Sequence, residues 1–238
     1  MRQSNSYIII YSAILTVVCG GLLALAAEGL KDAQQANIDQ EQKKNILSTV
    51  MELKDGDDVN ALYDKSVNAY VVDFNGKKVE GVNPAKLNLK TEWKKPQQER
   101  QLPLYEFKSA TDPNKIDFVV LPVYGYGLWN DISGFVALKS DLNTVQGVSF
   151  SHVGETPGLG ARIAESDIQE RFKGKSIFDG DVIASITMMK GEGKDYSNDV
   201  HKVDGMSGAT LTGKGLNNML ADYFKCYENY LKSKRNPQ

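Results

Sequence analysis

Histidine and cysteine are scarce in this sequence of 238 residues, which contains two of each. The histidines are His152 and His201, Cys19 lies within a long apolar run, and Cys226 is the only cysteine outside that run. Zinc sites and iron–sulfur clusters need groups of such ligands, and a disulfide needs a second cysteine. The sequence therefore gives no metal-ligand set, no disulfide framework and no Cys/His nucleophile pair. We assign no catalytic side chain and no metal site.

The sequence also lacks an excess of charge of either sign. Lysine and arginine number 28 against 30 aspartates and glutamates, for a formal net charge of −2. Such a balance gives no basic surface of the kind that binds nucleic acid. The G-x-G-x-x-G fingerprint of NADH-binding folds does not occur either. The length and the ordinary apolar content fit one membrane segment followed by one globular domain.

One glycine-rich stretch partly matches the motif of a nucleotide-binding loop. Residues 208–214 read G-x-x-x-x-G-K, which is the beginning of a phosphate-binding P-loop. The next residue is Gly215, where a P-loop has the Ser or Thr that binds magnesium, and residues 201–206 do not form a buried strand. Too little chain follows for the remaining βα units. The sequence therefore argues against an ATPase.

The N-terminal region carries an uncharged, mostly apolar run of 21 residues, 7–27. This length suffices for a helix to cross a hydrocarbon layer about 30 Å thick. The alternative is a cleaved signal peptide, since residues 24–26 form a small-x-small site, but a signal h-region is usually about 7–15 residues long. Arg2 on the near side and Glu28 on the far side predict an inside N-terminus. We expect an anchor at 1–30, with Cys19 as a small buried hydrophobe, and an extracytoplasmic domain at 31–238.

The remainder predicts an α+β fold, in which a mainly antiparallel sheet is covered by helices. Apolar residues at three- and four-residue spacing predict helices, and short alternating runs between turn residues predict strands. The predicted helices are 43–53, 164–172 and 216–231, and the predicted strands are 69–74, 77–82, 104–108, 116–123, 134–138, 144–150 and 182–188. The Asn75–Gly76 pair predicts a tight hairpin turn. The Lys-, Gln- and Asn-rich composition of residues 83–100 predicts an exposed loop, to which we assign no catalytic or binding role.

The stretch DGMSGATLT, residues 204–212, stands directly before the last predicted helix. Thr212 is expected to be the N-cap of that helix, and the free amides of the first turn would favour an anion beside Thr210. Taken alone, the stretch is better explained as a turn that caps a helix. Asp204 is expected either to orient the turn or to serve a modifying enzyme. His201 is expected either to contact a phosphate or to make a surface hydrogen bond.

A second glycine-rich stretch is GETPGLG, residues 154–160. Pro157 fixes one backbone dihedral, while Gly154, Gly158 and Gly160 permit conformations and close approaches that a β-carbon forbids. Backbone amides of such a loop can meet the edge of a flat ligand. The alternative is a tight turn with no ligand.

These two stretches carry a resemblance to a known family. DGMSGATLT resembles the flavinylation sequence of the flavoprotein subunits of the sodium-pumping NADH:quinone oxidoreductase and its Rnf relatives, in which the threonine ending SGAT is esterified to the phosphate of FMN. GETPGLG is similar to these families as well. The chain length, the long insert before residue 120 and the segment GYGLW, residues 125–129, favour the C subunit of the sodium pump over the Rnf G subunit.

The resemblance implies a set of cofactor-binding residues. Thr210 is the expected attachment residue for covalent FMN. The side chains expected around the isoalloxazine ring include Thr156 as a hydrogen-bonding group and Leu159 as a packing group. The full expected set is Thr210, Ser207, Gly208, Ala209, Leu211, Thr212, Glu155, Thr156, Gly158 and Leu159.

The resemblance also implies a function. The chain is expected to relay electrons from NADH toward quinone within an enzyme complex of the bacterial inner membrane that pumps sodium ions. Expected partners are the other subunits, membrane lipid and a flavin transferase that attaches the flavin with magnesium. NADH oxidation and sodium passage are expected in other subunits, because this chain has neither an NADH fingerprint nor an ionisable residue in its span. The alternatives are an Rnf G subunit and a membrane-anchored binding or assembly module without redox chemistry.

Overall fold

The computed structural model describes residues 4–109, 112 and 115–235. The chain divides into two compact units, the first ending at Gln42 and the second beginning at Lys43. In the described part, one helix is long and apolar enough to cross a membrane, α1 (Asn5–Ser48). The predicted helix 43–53 is not a separate element, because α1 continues to Ser48 and a turn follows. The division of the chain at residue 30 stays a prediction.

The second unit is built on a six-stranded sheet in the order β2-β1-β3-β4-β5-β6, and all neighbouring strands run antiparallel. The α+β prediction is thereby confirmed. The strands are β1 (Val67–Val72), β2 (Lys78–Val79), β3 (Leu102–Lys108), β4 (Ile116–Tyr126), β5 (Asp131–Lys139) and β6 (Val145–His152). Successive side chains of a strand point to opposite faces. Val119 and Leu121 of β4 therefore join one core cluster, whereas Val120 joins another on the opposite face.

Helices cover both faces of the sheet. The face with Val120 is covered by Ile46 and Leu47 from the end of α1 and by Val59 of α2 (Val59–Ser66), whose first turn is capped by Asp58. The opposite face is covered by α5 (Thr210–Arg235). Twelve α5 residues are buried, in the three- and four-residue spacing that predicted this helix. α5 is therefore held along much of its length by the core.

Residues 83–100 form more structure than the sequence predicts. Two 3₁₀ turns (Pro84–Lys86 and Gln97–Glu99) flank α3 (Leu89–Trp93). The Trp93 ring lies 6.0 Å from the Tyr124 ring, and the buried Arg100 donates to Asp222 of α5 at 2.5 Å. Ten of these eighteen residues are exposed, as predicted, but Glu92 and Arg100 are buried. Polar composition does not show which side chains find buried partners.

The region between β6 and α5 also differs from the prediction. The helix expected at 164–172 is a 3₁₀ turn (Gly160–Ala164) followed by the short α4 (Ser166–Glu170). The single strand expected at 182–188 is interrupted by Ser185, which has a φ of 61°. The chain there forms four two-residue strands, β7 (Phe178–Asp179), β8 (Val182–Ile183), β9 (Thr187–Met188) and β10 (Lys202–Val203). A positive φ at a non-glycine residue is uncommon and breaks strand pairing.

Candidate functional site

Thr210 is the first residue of α5 and is exposed to solvent. It lies at the edge of a cleft of about 180 Å³. This cleft is lined by Leu128, Glu155, Thr156, Leu159, Gly160 and residues 208–212, so the structure brings together the two glycine-rich stretches that the sequence singled out. A second cleft of about 140 Å³ also reaches Thr210 and is lined by Met188, Lys190, Lys214 and Asn217, among others.

Thr212 does not cap α5. The helix begins at Thr210, before the predicted start at residue 216 and before the predicted cap, and Thr212 is 1% exposed. Its Oγ1 donates a hydrogen bond to Oε2 of Glu155 at 2.5 Å. The expectation of an N-cap is therefore wrong. The apolar spacing that predicted this helix begins at Leu216, so it gave no signal for the helical turn that starts at Thr210. A contact between Thr212 and the cofactor stays a prediction.

Glu155 is a carboxylate buried inside the cleft wall, with 4% of its surface exposed. Its Oε1 accepts hydrogen bonds from the backbone amides of Leu128 and Trp129 at 2.8 and 2.9 Å. Burial opposes ionisation, but the hydrogen bonds from Thr212 and from these amides outweigh it and hold the pKa of Glu155 below its ordinary value. The side chain therefore joins the turn after β4, the GETPGLG loop and α5 through one ionised group.

The close backbone approach in GETPGLG occurs at Gly160. A β-carbon there would lie 2.4 Å from Oγ1 of Thr212 and 2.5 Å from Oε2 of Glu155, so no larger residue fits without displacing their hydrogen bond. Gly158, which the sequence places in the pocket, has a φ of +73° and open space where a β-carbon would be. The constraint at Gly158 is therefore backbone conformation rather than steric contact.

Large apolar side chains surround the mouth of the cleft. Leu128, Leu159 and Leu211 line the cleft and are exposed, and the neighbouring Trp129 is 68% exposed. The sequence predicted Leu159 and Leu211 for the site but not Leu128 or Trp129, which lie in the GYGLW segment. Exposed apolar side chains grouped around a cleft are the kind of surface that a flat apolar ligand covers.

A cluster of charged side chains holds the turn before α5, and the sequence did not predict it. Glu192 accepts the backbone N–H of Ser207 at 3.0 Å, and Arg171 donates to the carbonyl of Gly205 at 2.6 Å. Arg162 and Arg171 both donate to Glu192 at 2.9 Å. Hydrogen bonds from Arg162 and from Ser207 hold the pKa of Glu192 far below its ordinary value. These side chains come from segments far apart in the sequence, which is why no local pattern revealed them.

The structure also places Asp204 and His201. Asp204 accepts the backbone amides of Gly193 and Lys194 at 2.7 and 3.2 Å, so it orients the neighbouring loop. The Nδ1 of His201 lies 2.8 Å from the carbonyl oxygen of Ser176, consistent with the expected hydrogen-bonding role. The thiol of Cys226 is 1% exposed, and burial raises its pKa to about 11, consistent with a structural cysteine.

Comparison with known proteins defines the class of this domain. Residues 127–225 match the FMN-binding domain family. The match includes GETPGLG, the turn before α5 and the first part of α5, and therefore the whole cleft beside Thr210. The globular unit contains an FMN-binding domain.

Relatives along nearly the whole chain define the family more narrowly. The chain is 34% identical over 236 residues to the C subunit of the Na(+)-translocating NADH-quinone reductase of Haemophilus ducreyi, covering 94% of this chain and 91% of the relative. It is 33% identical to the corresponding C subunit of Pseudomonas aeruginosa, covering 92% of this chain and 91% of the relative.

Solved structures agree with this comparison. The crystal structure of the C subunit from Parabacteroides distasonis has a TM-score of 0.74 and 32% identity, covering 86% of this chain and 98% of that one. The Shewanella oneidensis NqrC structure has a TM-score of 0.71 at 26% identity, covering 83% and 99%. This chain belongs to the family of C subunits of the Na(+)-translocating NADH-quinone reductase.

Proposed function

We propose that this chain carries FMN, bound through its phosphate to Thr210, and relays electrons within a Na(+)-translocating NADH-quinone reductase. The single observation that supports this most is the exposed Thr210 hydroxyl at the edge of the cleft where both glycine-rich stretches meet, inside an FMN-binding domain. The family assignment supports the C subunit over the Rnf alternative.

The chemistry of the cleft fits FMN. A phosphate ester on Thr210 would lie at the N-terminus of α5, where free amides and the helix dipole favour negative charge. Leu128, Leu159 and Leu211 offer apolar surface for the ring, and burying them against it would remove that surface from water. FMN supplies one- or two-electron transfer when bound, and the protein binds, orients and shields it.

Three hydroxyls lie in the stretch 204–212, and their surroundings favour one attachment residue. The Thr212 hydroxyl is buried and donates to Glu155, so it is inaccessible to a modifying enzyme. Ser207 and Thr210 are both exposed, but Ser207 does not line the cleft. Thr210 is also the residue at the SGAT terminus in the resemblance to flavinylated subunits. These observations support Thr210.

The partners and location follow from the family and the apolar helix. We propose that α1 anchors the chain in the bacterial inner membrane and that the FMN-binding domain lies on the outer face. The other subunits of the complex would supply and accept electrons, and a flavin transferase would attach FMN. A covalent bond has a clear use outside the cytoplasm, because a flavin lost there would be diluted beyond recapture.

Thr210→Val tests the attachment, with Ser207→Ala as the matched control. Valine keeps the shape of threonine and removes the oxygen. Full-length protein co-expressed with a flavin transferase should show flavin fluorescence in a denaturing gel for wild type and Ser207→Ala, and none for Thr210→Val. Complexes containing Thr210→Val should lose most quinone reduction and ion pumping.

Peptide mass spectrometry assigns the FMN mass to one hydroxyl. FMN on Ser207 or Thr212, or retained in Thr210→Val, would overturn the attachment site. A wild-type protein that never acquires flavin would instead favour the alternative of a binding or assembly module without redox chemistry.

The topology has its own test. Mass spectrometry of the mature chain should find the N-terminal segment retained, since the run of 21 apolar residues exceeds an ordinary signal h-region. Protease added to right-side-out cells should digest the domain. A mature N-terminus near Ala27, or a protected domain, contradicts the proposal.

A further inference from the structure

Among the residues that the structure describes, Glu155 is the buried acid that lines the cleft, and all the groups that hydrogen-bond to it are neutral. Its partners are the backbone amides of Leu128, Trp129 and Asn130 and the hydroxyl of Thr212. The other buried acids in the described part of the chain, Glu92 and Glu106, lie outside the cleft. Glu92 pairs with Lys95 at 2.8 Å, whereas Glu106 has neutral partners, among them the hydroxyls of Tyr70 and Tyr230. Among the residues that the structure describes, no lysine, arginine or histidine forms an ion pair with Glu155.

The position of this carboxylate matters because it lies in the wall of the cleft. Glu155 and Thr210 line the same cleft, and Thr212, which donates to Glu155, is two residues further along α5. The carboxylate cannot turn away, because two loops and a helix hold both oxygens and Gly160 leaves no free space beside it. The cleft therefore contains a fixed negative charge that forms no ion pair with the residues that the structure describes.

We propose that Glu155 sets the reduction potential of the flavin by placing an uncompensated negative charge beside it. This inference rests on the proposed function. During reduction, an electron from the preceding carrier adds one negative charge to the ring unless a proton follows. A fixed carboxylate in a partly water-excluded site repels that added charge, and the repulsion is stronger than it would be in bulk water. Glu155 therefore lowers the potential, so that the electron passes more readily to the next carrier.

A purely structural role for Glu155 gives a different expectation. If the carboxylate only holds the loops together, a glutamine should serve nearly as well. Its carbonyl oxygen accepts the two amides, and its NH₂ donates to Thr212, whose hydroxyl also accepts hydrogen bonds. Glu155→Gln therefore removes the charge while keeping the shape and most of the hydrogen bonds. Thr212→Val does the reverse, since it keeps the charge and removes one hydrogen bond.

The experiment is a spectroelectrochemical titration of the full-length, flavin-loaded protein. Glu155→Gln should shift the midpoint potential to more positive values, on the order of tenfold in the reduction equilibrium, or about 59 mV for one electron. Thr212→Val should leave the potential unchanged or make it more negative, because the charge loses a donor. Glu80→Gln, at an exposed acid beside β2, controls for net charge and should change nothing.

An unchanged potential in Glu155→Gln, or a positive shift of similar size in Thr212→Val, overturns the inference. If the glutamine variant does not retain flavin, the sign of the Thr212→Val shift still decides, because a positive shift contradicts the role of the charge. Failure of the proposed function is recognised separately. In that case the wild type shows no covalent flavin fluorescence before any titration begins, and the inference falls with it.

Discussion

Thr212→Val tests the internal structure of the site through stability. Valine has nearly the same shape as threonine, so the substitution removes the hydroxyl without opening a large cavity. The hydroxyl donates to the buried carboxylate of Glu155 at 2.5 Å. A hydrogen bond to a charged group contributes about 1.5–3 kcal/mol, and we expect a loss of this size. In a domain of this size it corresponds to roughly 3–12 °C in Tm.

A double-mutant cycle with Glu155→Gln separates this mechanism from an N-cap. A capping hydroxyl would stabilise the helix by about 1 kcal/mol whatever residue stood at position 155. The contact seen here is charge-assisted, and Glu155→Gln leaves only a neutral hydrogen bond to Thr212, so the two substitutions should not be additive. The measurement is urea unfolding of the full-length protein in detergent, followed by the fluorescence of Trp93 and Trp129. A coupling energy near zero would refute the reasoning.

The pH of that measurement follows from the sign of the pKa shift. The pKa of Glu155 is lower in the folded state than in the unfolded chain. Its stabilisation is therefore fully present above the unfolded value, about 4.3, and is lost as the pH falls through the folded value. The cycle should be measured at about pH 7, where the carboxylate is ionised in both states. The coupling should shrink only in acid, below the ordinary range of a glutamate.

Two further predictions concern the turn before α5 and the lone buried thiol. Glu192→Gln should lower the free energy of unfolding by about 1.5 kcal/mol and speed hydrogen exchange at residues 205–207, because it weakens charge-assisted bonds to Arg162 and Arg171 in a partly exposed cluster. Asp167→Asn, at a more exposed acid that contacts the same arginines, is the control, and an equal effect there would contradict the special position of Glu192. Cys226, in a Cys19→Ser background, should resist alkylation at neutral pH until the protein is unfolded, since burial raises its pKa to about 11. Rapid labelling of the native protein would show that the thiol is accessible and reactive, against this expectation.

The sequence predicted the central sheet well because its strands follow local rules. Alternating apolar residues, with turns such as Asn75–Gly76 between them, located β1 and β3 to β6 within a few residues. The prediction of one strand at 182–188 failed because an apolar run does not reveal the positive φ of Ser185. This residue separates β8, which pairs with β7, from β9, which pairs with β10. Such a conformation is imposed by packing rather than by residue type.

The site was predicted only as far as its motifs extend. Both glycine-rich stretches carry local signals, and the structure brings them together around Thr210. The contacts that organise them join residues far apart in the chain, such as Glu155 with Thr212 and Glu192 with Ser207. No spacing rule reports such pairs, so the sequence assigned Thr212 to a cap and gave Glu192 no role.

The placement of Thr210 on α5 supports the proposed attachment, because a cofactor bound there would be held in a fixed position. α5 is anchored in the core by buried residues along its length, including Tyr227, whose hydroxyl donates to the carbonyl of Pro103 at 2.7 Å. The turn before the helix is held by Glu192 and Arg171, and the wall beside it is held by Glu155. Electron transfer between carriers depends on a fixed distance and orientation. A group attached to the first residue of a helix that is packed in the core is held as rigidly as the helix itself. The same group attached to a free loop would move with the loop.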